Sequence, residues 1–65
     1  MMRAEEIRKL SIEELNAKVE TFKIELFELR MKKAVGELEN PAKLKEVRKT
    51  IARIKTIIKE KELER

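Results

Sequence analysis

Apolar residues recur at three- and four-residue steps along two stretches of this chain. The first series is Ile12, Leu15, Val19, Phe22, Leu26 and Leu29; the second is Leu44, Val47, Ile51, Ile54 and Ile58. That spacing places each series on one face of an α-helix. The flanking residues supply the boundaries. Ser11 followed three residues later by Glu14 forms a capping box, so a helix should begin at about Ile12. Asn40 and Pro41 read as an N-cap and a first-turn proline, because the Asn side chain accepts from an orphan N–H and Pro has none to leave unpaired. Gly36, the single glycine, falls where a left-handed helix terminator belongs. The pattern therefore predicts long helices at about 12–34 and 41–62, a short one at about 3–9, and a loop at 35–40.

The two stripes mirror each other when the chain is folded at the loop. Leu29 then faces Leu44, Leu26 faces Val47, Phe22 faces Ile51, Val19 faces Ile54 and Leu15 faces Ile58. Ile12 faces the stem of Lys61, where the seam runs out. Five apolar layers in one register predict an all-α fold: an antiparallel two-helix coiled-coil hairpin with a short extra N-terminal helix, one domain over residues 1–65. An intermolecular bundle with the loop straightened would use the same heptads. Gly36 and Pro41 oppose it, since both interrupt a continuous helix.

Composition narrows the chemistry. In 65 residues there is no Cys, His, Asp, Trp or Tyr, so disulfides, zinc sites and the usual nucleophile–base pairs cannot be assembled. An enzyme is not expected, nor a cofactor or metal. No apolar run approaches the roughly 18 residues of a membrane span, and Met1–Leu10 lacks the apolar core of a signal peptide. The expected location is the cytoplasm.

Charge then adds a direction. Residues 1–40 hold eight Lys/Arg and nine Glu, a net −1; residues 41–65 hold nine and four, a net +5, giving +4 in all. Lys45, Arg48, Lys49, Arg53, Lys55 and Lys59 all lie off the seam, with Glu46 the lone interruption between Lys43 and Lys59. A helix built only for solubility mixes signs to gain i,i+4 pairs, and this one gives most of them up. Like charges on adjacent turns repel, which a bound polyanion relieves. Arg30, Lys32 and Lys33 face the same region from before the loop. Ala52 sits among these cations without a long side chain. Base-stacking aromatics are missing, as both Phe residues belong to apolar lines. Recognition by phosphate and shape remains, which suits folded double-stranded RNA.

A second apolar line runs along the first long helix: Ala17, Ile24, Phe27, Met31 and Ala34, opposite the seam. The sequence leaves the short N-terminal helix open between docking on the hairpin and extending toward RNA; folded back through Ile7 and Leu10 it is too short to cover both Ile24 and Met31. An uncovered line of this kind usually marks a protein contact, so Ile24, Phe27 and Met31 are candidates for one.

These residues also carry a family likeness. Asn40–Ile54 reads N-P-x-x-L-x-x-V-R-K-x-I-A-R-I, supported by F-x-L-R-M at Phe27–Met31, G-x-L at Gly36–Leu38 and S-I-E-E-L at Ser11–Leu15. In these motifs the chain resembles the bacterial ribosomal protein L twenty-nine family over essentially its whole length. The resemblance implies a helical hairpin on large-subunit ribosomal RNA near the polypeptide exit tunnel, beside large-subunit protein twenty-three, where chaperones and targeting factors dock. It implies RNA contacts at Arg30, Arg48, Lys49, Arg53, Lys55 and Thr56. Lys32, Lys33, Lys43 and Lys45 join them on charge and proximity. The competing expectation is a stand-alone helical-hairpin protein-interaction module whose cations serve solubility; a third is a homo-oligomeric coiled coil. The isolated chain is expected to be a monomer.

Overall fold

The computed structural model describes residues 3–64. Three helices are present among them: α1, Ala4–Arg8; α2, Ile12–Ala34; and α3, Pro41–Leu63. The two long helices have 23 residues each and pack against one another along their length. The result is a rod of 46 × 17 × 14 Å, whose long dimension exceeds the ~34 Å of a 23-residue helix by little more than the turn and α1. The all-α hairpin read from the sequence is the fold observed.

Local chemistry sets each helix end. Ser11 Oγ accepts from the Glu14 N–H at 3.2 Å, and Glu14 Oε1 accepts from the Ser11 N–H at 3.3 Å, which completes the capping box. Asn40 Oδ1 accepts from the Ala42 N–H at 3.1 Å, with Pro41 as the first helical residue. At the end of α2 the Glu37 N–H donates to the Lys32 carbonyl at 2.8 Å and the Gly36 N–H donates to the Lys33 carbonyl at 3.1 Å. This Schellman closure needs a left-handed residue, and Gly36 has φ +74°. A Cβ at Gly36 would meet no atom within 4 Å, so the glycine is required by its backbone angle and not by crowding. Substituting Ala there costs about 1 kcal/mol through that angle alone.

All ten seam residues from Leu15–Leu29 and Leu44–Ile58 fall in one core cluster. Leu15, Val19, Leu29, Val47, Ile51 and Ile54 are buried; Phe22, Leu26, Leu44 and Ile58 are half-buried against them. Two further positions on α3, Thr50 and Ile57, are also buried. The Thr50 hydroxyl donates to the Glu46 carbonyl one turn back at 2.8 Å, so its polar atom enters the interior satisfied.

Helix α1, whose placement the sequence leaves open, docks on the hairpin. It packs on α3, and not over the outer apolar line of α2. Ile7 is fully buried in the common core, which also contains Ile57 and the partly buried Ala4 and Leu10. Two polar contacts pin the same end: Lys61 Nζ donates to the Arg8 carbonyl at 2.9 Å, and Arg8 Nη2 lies 3.5 Å from Glu60 Oε2. The lysine satisfies a carbonyl that the last turn of α1 leaves open. The physical reason is on α3: Ile57 and Thr50 extend its apolar face beyond the seam, offering Ile7 a site that the outer line of α2, on the far side of the rod, cannot.

Candidate nucleic-acid interface

At 100° per residue, Arg48, Ala52, Lys55 and Lys59 stand on one flank of α3, while Lys45, Lys49, Arg53 and Thr56 stand on its back. Every one of these residues is exposed. Together they span an arc of about 160°, and between Lys45 and Lys59 no Glu falls inside it. Glu46 lies just beyond its edge, and Glu60, inside the arc but one residue past Lys59, pairs with Arg8 of α1. Ion pairing leaves most of the arc open: Lys45, Arg48, Lys49 and Lys55 have no carboxylate partner among the described residues. The Thr56 hydroxyl donates to the Ala52 carbonyl at 2.9 Å, so its proton is already committed.

The ten cations and hydroxyls singled out from the sequence do not form one surface. Arg48, Lys55 and Arg30 share the flank where Leu26 meets Ile51. Arg30 lies one turn beyond Leu26 on α2, and Lys23 one turn before it. Lys45, Lys49, Arg53 and Thr56 continue that field around the back of α3. Lys32 and Lys43 lie elsewhere: with Leu29, Gly36, Glu37, Leu38, Glu39 and Asn40 they line an open cleft of about 740 Å³ under the loop. Its lining mixes signs, and Lys43 Nζ reaches Glu25 Oε1 at 3.8 Å. Lys33 is exposed in the last turn of α2, where its carbonyl closes the helix end.

Lys23 is a cation that sequence reasoning passed over. The signal was present, because Lys23 and Arg30 stand seven residues apart and so share a heptad position beside the seam. Lys23 Nζ is 3.7 Å from Glu20 Oε1, in a largely exposed i,i+3 pair. Such pairs contribute under ~1 kcal/mol and exchange readily for a phosphate.

The outer face of α2 has a different character. Ile24, Phe27, Met31 and Val35 are 61, 63, 53 and 64% exposed. Helical spacing interleaves them with Glu13, Glu20 and Glu28, all exposed. Phosphate has nothing to hold on this face. Among the described residues no group of His, Cys, Asp and Glu could bind a metal, and no helix is long and apolar enough to cross a membrane.

The family described as "Ribosomal L29 protein" matches residues 5–61. The large ribosomal subunit protein uL29 of Lactobacillus delbrueckii subsp. bulgaricus is 60% identical over 63 residues, 97% of each chain. That of Caldanaerobacter subterraneus subsp. tengcongensis is 58% identical over 62 residues, covering 95% of this chain and 94% of its own. That of Natranaerobius thermophilus is 55% identical over 62 residues, 95% of each.

Proposed function

The chain belongs to the ribosomal L29 protein family, and from that premise we propose that it binds large-subunit ribosomal RNA through the basic arc of α3. Like its family, it is a structural constituent of the large ribosomal subunit in the cytoplasm, and not an enzyme. One observation carries the RNA reading: between Lys45 and Lys59, an exposed arc from Arg48 and Lys55 around to Lys49 and Arg53 contains no carboxylate. A rigid rod bearing that arc positions cations along a helix of RNA without entering its narrow major groove. The seam holds the arc straight, and the arc neutralises phosphates. Arg48, Lys49, Arg53 and Lys55 form the centre of the contact; Arg30 extends it across the flank, and Lys45 extends it toward the loop. Lys32, Lys33 and Lys43 are peripheral.

The opposite face makes the second contact. Ile24, Phe27 and Met31 offer an apolar strip to a neighbouring protein, large-subunit protein twenty-three beside the polypeptide exit tunnel, in the platform used by chaperones and targeting factors. The free chain is a monomer. Binding of the purified protein to large-subunit ribosomal RNA, followed between about 50 and 200 mM salt, tests the RNA reading. Four to six neutralised phosphates give a slope of log affinity against log salt of about −3 to −5. A flat response would remove the proposal.

A further inference from the structure

Ala52 is the one short side chain among the cations of α3, and the structure shows what it opens. Leu26, Ile51, Ala52, Arg48 and Lys55 line a shallow cleft of about 230 Å³ on the basic flank. Its floor is aliphatic, from the exposed edges of two seam residues. Arg48 and Lys55 rise at either end, seven residues and about 10 Å apart along α3. Lys23 and Arg30 stand one turn to each side of Leu26 on α2. Two cations therefore line a hydrocarbon notch, two more flank it on α2, and no acidic residue lines it.

We propose that this notch receives a single unpaired nucleobase extruded from an RNA helix, with the phosphates on either side of it held by Arg48 and Lys55. The chemistry requires a guest that is flat and apolar in one part and doubly anionic at its edges. An apolar protein side chain satisfies the floor but leaves Arg30, Arg48 and Lys55 unmatched. A paired RNA stem satisfies the cations but cannot reach the floor. A bulged nucleotide satisfies both, and splayed bases are the elements by which RNA is read specifically. The methyl groups of Ala52, Ile51 and Leu26 take the part that an aromatic ring plays elsewhere. The inference rests on the RNA-binding reading above and adds selectivity to it.

Two hairpin RNAs of equal nucleotide count test it, one with a fully paired stem and one with a single unpaired adenosine in the stem. The protein, labelled with ¹³C at its methyl groups, is titrated with each. The bulged hairpin is expected to bind about tenfold tighter, the effect of removing roughly 55 Å² of apolar surface from water. It should shift the Leu26 and Ile51 methyl signals upfield by ring current, and its advantage should persist as salt is raised. Ala52→Leu, at an exposed site with near-equal helix propensity, fills the notch and should bring the bulged hairpin down to the level of the paired one. Equal affinity for both RNAs with a steep salt dependence overturns this inference and leaves general RNA binding standing. Failure of both RNAs to bind overturns the two together.

Discussion

Helices α2 and α3 have equal length and bury matching halves of one seam, yet their outward faces differ in kind. The back of α3 carries Lys45, Lys49, Arg53 and Thr56; the back of α2 carries Ile24, Phe27 and Met31 among Glu13, Glu20 and Glu28. The seam residues are dictated by the need of each helix to hide an apolar stripe. Nothing in the folding of a hairpin dictates what lies on the far side. The outward faces are therefore where a partner leaves its mark, and two unlike faces point to two unlike partners on opposite sides of the rod.

The largest expected effect breaks one face while sparing the other. Reversing Arg48→Glu, Lys49→Glu and Arg53→Glu together should weaken binding to large-subunit RNA by at least about 100-fold near 0.1 M salt, and flatten the salt slope by about 3. Phe27→Ser should leave both quantities unchanged while abolishing association with the neighbouring protein in a pull-down. Circular dichroism of both variants should match the parent, since all four side chains are exposed. If the triple reversal left RNA affinity intact, the arc would be a solvated surface, as in the stand-alone module. If Phe27→Ser lowered RNA affinity equally, the two faces would not be separate.

A smaller effect distinguishes outer apolar residues from inner ones. Ile54 is fully buried in the seam, and Phe27 is 63% exposed. Ile54→Ala should cost about 3 kcal/mol and lower the melting temperature by roughly 12–20 °C in a chain this small. Phe27→Ser should stay within about 0.5 kcal/mol of the parent in the same thermal scan. A large loss at Phe27 would mean that the strip is covered in the free chain, either by α1 or by a second copy. Sedimentation at several concentrations separates these, because only self-association makes the mass depend on concentration.

The seam was legible in the sequence because periodicity, caps and terminator all agree. Ser11–Glu14, Asn40–Pro41 and Gly36 each act within a few residues of themselves, so no tertiary context is needed to read them. The placement of α1 was not legible for the opposite reason. A helix of five residues has almost no intrinsic stability, so its position is decided by where Ile7 finds a vacancy. The hint was the doublet Ile57–Ile58. A two-helix seam uses only one residue of such a pair, and the spare one, seven residues after the equally buried Thr50, marks a second apolar ridge on α3. The exposed cations were easy to count and hard to group. Which flank each occupies depends on how the helices face one another, and only the packed hairpin separates Arg30, Arg48 and Lys55 from Lys32 and Lys43.

The smallest effect concerns Thr56, which the family likeness placed among the RNA contacts. Its hydroxyl donates to the Ala52 carbonyl at 2.9 Å, as the buried Thr50 does to Glu46. A proton used inside the helix is not available to a phosphate unless that bond is broken, and breaking it offsets most of what a new neutral hydrogen bond contributes, about 1 kcal/mol. Thr56→Val preserves shape and removes the hydroxyl, so it should change RNA affinity by less than about threefold with no change in salt slope. Lys49→Ala, one residue type away in chemistry but on the same back of α3, should cost more and flatten the slope by about 1. A tenfold loss at Thr56→Val would show that the hydroxyl turns outward on binding, and would make the back of α3 a hydrogen-bonding surface as well as an electrostatic one.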